Sequence, residues 1–334
     1  ETMKSYGITD FETLNFVVTG EDLSAMRKTA GLASLEFSNL FEKNSPDIVL
    51  ILADRFECLP LAMIARYSNK CIVHLEGGEV TGSVDDSIRH AISKLSNYHL
   101  VANQLAKEVL ESLGESSGNI FITGSTSFDE FQYANTDGLA VMRNSQKTLG
   151  LGQELKLMPK SYGVCIYHPV TTEYDDNYKH CNTLLEVLSE HPEEIVWLWP
   201  NMDAGSDGVS KAIRKFREKN KISNIHFFKS LPIEKYAPLL KYAKFIIGNS
   251  SSGIREAGFV GVPSITIGTR QKGRERSQNV LTINPNRDEI VKSLKDIKEI
   301  NFDVSHLYSE TSPSKKVADL LLNFTIKNEK FYGE

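Results

Sequence analysis

The chain has 334 residues, enough for two domains, and its 40% hydrophobic and 24% charged residues are the balance of a globular protein. A net charge of −5 gives no global attraction to nucleic acid or to a membrane surface, so any anion binding has to be local. No apolar run approaches the ~18 residues of a membrane span. The chain also shows no signal peptide, which sets the expectation of a cytoplasmic protein.

In chain order, residues 47–53 form a short apolar run that ends at Asp54-Arg55, and residues 59–67 follow a helical period. A strand is predicted at 70–75, a helix entered through acidic residues at 85–95, a strand at 98–102, a helix at 106–113 and a strand at 119–123. Residues 133–160 carry little periodicity. The pattern restarts with a strand at 162–167 ending at His168-Pro169, a helix at 182–189 and a strand at 194–199 ending at Pro200-Asn201. A basic helix at 208–219, a strand at 225–228, a helix at 233–242 and a strand at 243–247 follow. That last strand runs into Gly248. A helix begins at 255–259, and a strand at 263–267 ends at Gly268.

Short, continuous apolar strands alternating with helices are the pattern of a parallel sheet covered on both faces. Two such arrays predict an α/β chain of two doubly wound, Rossmann-like domains, at 1–155 and 156–312. A C-terminal helical segment at 313–334 is expected to pack back on the first domain. The first array has fewer strands before Asp54 than a complete unit, so an N-terminal segment is expected to be absent from this chain. The four cysteines, Cys58, Cys71, Cys165 and Cys181, have no paired spacing and read as reduced thiols. Residues 211–221 read as a solvated basic helix face, and Trp197 and Trp199 as packing in and beside a strand.

Ligands of open α/β sheets bind beyond the carboxyl ends of the strands. Asp54, His74, Glu76, His168, Asn201, Ser250 and Arg270 all fall at such ends, which points to one site in a cleft between the domains. The segment His74-Leu-Glu-Gly-Gly-Glu-Val-Thr-Gly-Ser-Val-Asp-Asp-Ser-Ile-Arg-His90 concentrates carboxylates, two histidines and an arginine. His74 and Glu76 share an orientation if the strand continues that far. Asp85 or Asp86 can cap the following helix, where both neighbour Arg89. No His-x-x-x-His or similar spacing marks a metal site.

In Gly248-Asn-Ser-Ser-Ser-Gly-Ile-Arg-Glu256 a strand runs into a hydroxyl-rich helix start. Backbone N–H groups and serine hydroxyls there favour phosphate, or Ser250 or Ser251 simply caps the helix. Glu256, one or two turns into that helix, is placed to accept two ribose hydroxyls. His168 can donate a proton or stabilise an oxyanion, or serve as a hydrogen-bonded loop histidine. Asp54-Arg55 is either part of the site or an ion pair.

Six motifs occur in order: Asp54-Arg-Phe-Glu57; the His74–His90 segment; His168-Pro-Val-Thr-Thr172; Pro200-Asn-Met-Asp-Ala-Gly205; Gly248–Glu256; and Gly268-Thr-Arg-Gln-Lys-Gly-Arg274. Together they resemble the hydrolysing UDP-N-acetylglucosamine 2-epimerases of sialic acid biosynthesis, both the bacterial enzymes and the epimerase half of the animal bifunctional enzyme. The resemblance runs from near Gly20 to near Leu322. It implies a GT-B fold with the active site between two Rossmann-like domains. It also implies release of UDP from UDP-GlcNAc by anti elimination to 2-acetamidoglucal, then addition of water to give N-acetylmannosamine.

By motif, Asp54 and Glu76 become the acid/base carboxylates, with Asp85, Asp86 and Arg89 supporting or joining them. His168 sits by the diphosphate and the breaking bond. Ser250, Ser251 and Gly253 hold phosphate, Glu256 the ribose, and Arg55 and Arg270 the nucleotide. This set suits the chemistry: a carboxylate must take the weakly acidic C2 proton, and positive charge must stabilise the departing diphosphate. The resemblance further implies no metal or cofactor and a homodimer or homotetramer.

Two departures stand out. The family's opening strand and Gly-Thr-Arg loop are missing, and Ala53 stands where the family usually has glycine. The nearest alternative is a hydrolysing 2-epimerase of a GDP-linked 2,4-diacetamido-trideoxy sugar of legionaminic acid synthesis. Those relatives tend to show His-Ile-His where this chain has His74-Leu-Glu76. The non-hydrolysing epimerases lack the Asp85-Asp-Ser-Ile-Arg-His90 block. A GT-B glycosyltransferase would need an acceptor groove that nothing in the sequence reveals. A truncated, non-catalytic nucleotide-sugar-binding protein is the non-enzyme alternative.

Overall fold

The structure, a computed structural model, describes residues 2–5, 7–20, 22–82, 85–139, 150–151, 157–200, 205–229, 231–297 and 302–330. The apolar runs form two sheets. The first has the order β1 (Ile48–Leu52), β2 (Cys71–Leu75), β3 (Tyr98–Val101), β4 (Ile120–Ile122), all parallel. The second contains β5 (Gly150–Leu151), β6 (Tyr162–Ile166), β7 (Glu194–Leu198), β8 (Ile225–Phe228), β9 (Phe245–Gly248), β10 (Ser264–Ile267) and β11 (Val280–Ile283). Its order is β11-β10-β9-β6-β7-β8-β5, with only the short β5 antiparallel to its neighbour.

Alternation along β2 shows why its sequence is apolar throughout. Ile72 packs with Ala62 of the Cys58–Tyr67 helix and Ile92 of the Asp85–Leu95 helix. Cys71, Val73 and Leu75 face the other way, against Val317 of the Pro313–Asn323 helix. Every β2 residue is buried as a result. The segment after that helix continues across the first sheet. Phe324 stacks on Tyr98 at 4.2 Å between ring centroids, and the Tyr98 hydroxyl donates to the Thr325 carbonyl at 2.7 Å. The Lys330 ammonium reaches Glu115 at 2.6 Å, beside His99 and Lys94. Burial opposes the Glu115 charge, but these three partners outweigh it and bring its pKa down to about 2.

One strand departs from the expectation of cover on both faces. In β1, Val49 and Ile51 are buried, whereas Leu50 and Leu52 are 43% and 52% exposed. β1 is an edge strand among the described residues, and its Leu50–Leu52 face has no layer over it there. Several elements escape the periodicity reading, among them the Leu23–Lys43 helix, β11 and the Arg287–Asp296 helix. Both helices start with side-chain caps. Asp22 accepts the Ala25 N–H at 2.7 Å, and Asn286 accepts the Glu289 N–H at 3.0 Å.

Two backbone positions set the strand ends that carry the site. Gly248 pairs with Ile166 at φ 137°, and a Cβ there would lie 2.0 Å from the Ile166 carbonyl oxygen. Ala53, just past β1, sits at φ 57°, in the left-handed region. Two bonds hold it there: its N–H donates to the Leu75 carbonyl at 2.8 Å, and its own carbonyl accepts from His74 Nε2 at 2.8 Å. A left-handed residue with a Cβ costs roughly 1–2 kcal/mol, part of which glycine returns as unfolded-chain entropy. Ala53→Gly should therefore stabilise the fold by about 0.5–1 kcal/mol, read from the urea midpoint. A destabilised variant would show that the turn is not strained.

Candidate active site

The strand ends of the two sheets converge on a cleft of about 220 Å³. Its first-sheet wall is Ala53, Asp54, Glu76, Glu79, Thr81, Asp85 and Arg89. Its second-sheet wall is Ser251, Arg255, Arg270, Gln271 and Arg274. Asp54 follows β1, Glu76 follows β2, Ser251 follows β9, and Arg270 follows β10, so the sheets themselves bring these groups together.

Arg89 organises the first wall from inside the Asp85–Leu95 helix. Its side chain is 2% exposed. One nitrogen, Nη2, grips Asp54, while Nη1 donates to the Glu79 carbonyl at 2.6 Å and to Asp86 at 2.7 Å. Burial works against the Arg89 charge, but Asp54, Glu79 and Asp86 outweigh it and raise its pKa above the ordinary guanidinium value. Asp86 accepts from the Thr81 N–H (2.9 Å), the Thr81 hydroxyl (2.7 Å) and the Gly82 N–H (2.7 Å). It therefore pins the loop ahead of its own helix, and those bonds together with Arg89 lower its pKa against the opposing effect of burial.

Glu76 ends β2 rather than extending it. Its φ of 62° breaks the alternation, so His74 and Glu76 do not share an orientation. Glu76 Oε1 accepts from the Ser125 hydroxyl at 2.7 Å, and Oε2 accepts from Arg255 Nη2 at 2.8 Å across the cleft. His74 is fully buried instead, bonded to the Ala53 carbonyl through Nε2 and to Ser93 at 2.9 Å through Nδ1. The carbonyl fixes the Nε2–H tautomer. His74 is thus the post that holds the Ala53 turn, and through it the position of Asp54.

The second wall has a different hub. The Asn249 side chain accepts the His168 N–H at 2.7 Å and donates to the His168 carbonyl at 2.8 Å. The Asn249 carbonyl accepts from Gln271 Nε2 at 3.1 Å and from Arg270 at 3.4 Å. One asparagine so ties the ends of β6 and β9 to the loop after β10.

Six of the twelve residues expected from sequence line this cleft: Asp54, Glu76, Asp85, Arg89, Ser251 and Arg270. The other six stand behind or beside it. Asp86 is taken up by the Thr81–Gly82 loop. Arg55 is half exposed and pairs with Glu57 at 2.8 Å. Ser250 accepts the Ser252 N–H at 3.3 Å, as the cap of a 3₁₀ turn over Ser251–Gly253. Gly253 packs on β10, where a Cβ would meet the Ser264 hydroxyl at 2.5 Å. Glu256 is the first residue of a four-residue helix, not one or two turns into a longer one. It is buried, with the Ser127 hydroxyl donating to it at 3.1 Å. His168 is buried, within reach of the Arg270 charge. Asn201 lies outside the described residues. Among the described residues, no group of His, Cys, Asp and Glu is arranged to hold a metal ion, and no helix is long and apolar enough to cross a membrane.

Sequence reasoning missed Glu79, Arg255, Gln271 and Arg274. All four sit inside the quoted motifs, but each takes its meaning from a partner on the opposite sheet or in another loop. Glu79 Oε2 lies 2.7 Å from Arg274 Nη1, and Oε1 lies 3.5 Å from Arg255 Nη1. Burial works against its charge, but Arg274, Arg255 and Arg89 outweigh it and hold its pKa below the usual carboxylate value.

Burial brings the pKa of His74 down to about 3, and burial with the nearby Arg270 charge does the same to His168. Both are neutral at pH 7. The unfolded chain protonates each near its ordinary value of 6.5, so between that pH and about 3 the unfolded state binds more protons. Stability is full above pH 6.5 and falls as pH drops through this window, by about 2 kcal/mol per histidine at pH 5. The urea midpoint should drop accordingly between pH 7 and pH 5. An unchanged midpoint would contradict neutral burial of the pair.

The sequence profile described as UDP-N-acetylglucosamine 2-epimerase matches residues 4–322. A "UDP-N-acetylglucosamine 2-epimerase" of Neisseria meningitidis serogroup B is 36% identical over 264 residues, covering 79% of this chain and 66% of that protein. A "UDP-N,N'-diacetylbacillosamine 2-epimerase (hydrolyzing)" of Legionella pneumophila is 32% identical over 307 residues, covering 92% of this chain and 78% of that protein. The chain thus spans just under two thirds of the first and over three quarters of the second. The crystal structure of a UDP-GlcNAc 2-epimerase from Neisseria meningitidis bound to UDP-GlcNAc aligns with a TM-score of 0.77 at 16% identity. That alignment covers 96% of this chain and 88% of the other, and the two share the GT-B fold of paired Rossmann-like units.

Proposed function

The chain belongs to the UDP-N-acetylglucosamine 2-epimerase family, and on that footing we propose that it is a hydrolysing 2-epimerase that converts UDP-N-acetylglucosamine to UDP and N-acetylmannosamine. The observation that carries this reading is the pair of carboxylates, Asp54 and Glu76, at neighbouring strand ends of one wall. Each is bonded to an arginine, and both face a wall of Ser251, Arg255, Arg270 and Arg274. Acid/base groups thus meet positive charge in one cleft.

In the proposed reaction one carboxylate takes the proton from C2. The C1–O bond then breaks, and the diphosphate leaves with the bonding electrons. A C1–C2 double bond results, in 2-acetamidoglucal. Water adds across it, with oxygen to C1 and a proton to C2 on the opposite face. Base and acid are assigned to this pair of carboxylates together rather than to either one. Asp85 and Arg89 complete the carboxylate wall. Ser250, Ser251 and Gly253 turn the chain toward the phosphates, and Glu256 is assigned to the ribose. Arg270 and Arg55 lie on the nucleotide side. Neutral His168 supplies an N–H donor beside the breaking bond rather than a cation.

The Legionella pneumophila relative, similar over 92% of this chain, favours a second reading, in which the same hydrolysing reaction acts on a nucleotide-linked 2,4-diacetamido sugar. Proton NMR of the protein with UDP-GlcNAc in deuterated water separates the two. Release of UDP with N-acetylmannosamine deuterated at C2 establishes the first. Silence there, with turnover of the diacetamido nucleotide sugar, establishes the second. Silence with both rejects hydrolysing epimerase activity.

A further inference from the structure

Glu79 is a buried carboxylate that the proposed reaction leaves without a task. It belongs to the first wall, in the loop after β2, yet both of its ionic partners, Arg255 and Arg274, belong to the second. The backbone follows the same route: the Gly273 N–H donates to the Thr81 carbonyl at 3.0 Å, and Val80 lies against Gly273. The Glu79–Gly82 loop is therefore one of the places where the two walls are fastened. The same loop is wired to both candidate carboxylates. Arg255, held by Glu79 through Nη1, holds Glu76 through Nη2 at 2.8 Å. Arg89, bonded to the Glu79 carbonyl at 2.6 Å, grips Asp54.

Removing one partner of a buried ion pair strands the other, whereas the intact pair adds little net stability over apolar packing. Such a pair is weak evidence of a stabilising role, and its position across the cleft calls for another. The chemistry supplies one. Once the C1–O bond has broken, the sugar is an uncharged, unsaturated ring with no link to the diphosphate. No ionic contact then retains it, so its hydration depends on the cleft staying shut until water has added.

We propose that Glu79 is a positioning residue whose ion pairs with Arg255 and Arg274 keep the cleft closed between elimination and hydration, so that the unsaturated intermediate is hydrated rather than released. This rests on the elimination–hydration reading given above.

The test is the share of free 2-acetamidoglucal among the sugar products, followed by NMR in the full chain with its nucleotide sugar. Glu79→Gln keeps the shape of the side chain and removes its charge. It should raise that share roughly tenfold, equivalent to about 1.4 kcal/mol in the partition. Glu79→Asp should return most of the difference. Arg274→Lys loosens the same fastening from the other wall and should shift the share in the same direction. An active wild type whose partition is unchanged in Glu79→Gln overturns this proposal alone, whatever happens to the rate. An unchanged share in Arg274→Lys overturns it even where Glu79→Gln does not fold. A wild type that releases no UDP from UDP-GlcNAc, and turns over no diacetamido nucleotide sugar, overturns the parent reading and this one together.

Discussion

Asp54→Asn is expected to lower kcat by roughly 10³-fold, within the range that a positioned acid/base group contributes, while the protein stays folded. The asparagine amide has the shape of the carboxyl group, and its oxygen can still accept from Arg89. What it cannot do is take a proton or offset the Arg89 charge. The structural cost is further limited because Arg89 retains Asp86 at 2.7 Å and the Glu79 carbonyl at 2.6 Å. The Asp54 side chain is 28% exposed toward the cleft, so it is reachable by substrate in a way that Asp86 is not. Steady-state UDP release gives the rate, and the urea midpoint gives the fold. A loss under tenfold in kcat would remove Asp54 from the acid/base pair.

Gly248→Ala is expected to have the largest effect on the fold. A φ of 137° is open to glycine alone, and the new methyl would lie 2.0 Å from the Ile166 carbonyl oxygen. That oxygen already accepts the Asn249 N–H at 3.0 Å, so it cannot turn aside without breaking the junction of β6 and β9. Asn249 would move with it, carrying along its two bonds to the His168 backbone and the Gln271 contact. Steric damage of this kind belongs to the tail of point-mutant effects, above about 4 kcal/mol. A midpoint within 1 kcal/mol of wild type, by the ~1.4 kcal/mol-per-decade scale of folding equilibria, would show that the two strand ends part easily.

Much of this architecture was legible in the sequence because the code for a doubly wound unit is local. A five-residue apolar run such as Cys71–Leu75 and an acid-entered helix such as Asp85–Leu95 announce themselves within one turn or one pleat. The carboxyl ends of the strands then indicate where to look, which is how Asp54, Glu76 and Arg270 were found. The 21-residue Leu23–Lys43 helix was less visible because only Ala25, Thr29 and Ala33 are buried along it. Its apolar stripe is made of small residues that carry little signal. Glu79 and Arg274 were illegible for a different reason. They are 195 positions apart, and nothing near either one says that a carboxylate and a guanidinium will meet at 2.7 Å. Likewise, the distinction between Asp85, which faces the cleft, and Asp86, which ties down a loop, comes from 100° of helix rotation. A pair of identical letters does not express it.

The segment that crosses the first sheet late in the chain sets the order in which the molecule can be completed. Residues 48–122 supply the strands, yet Val317, Phe324 and Lys330 supply the cover over Val73, the ring against Tyr98 and the charge for Glu115. During synthesis on the ribosome, the first sheet emerges with that face bare and waits while the entire second sheet is made. At ≈ 5–20 residues per second the wait is roughly ten seconds or more, long enough for a chaperone to be the first occupant of that face. The same geometry limits how the gene can be cut, because any break between residues 122 and 313 separates the first sheet from its own roof.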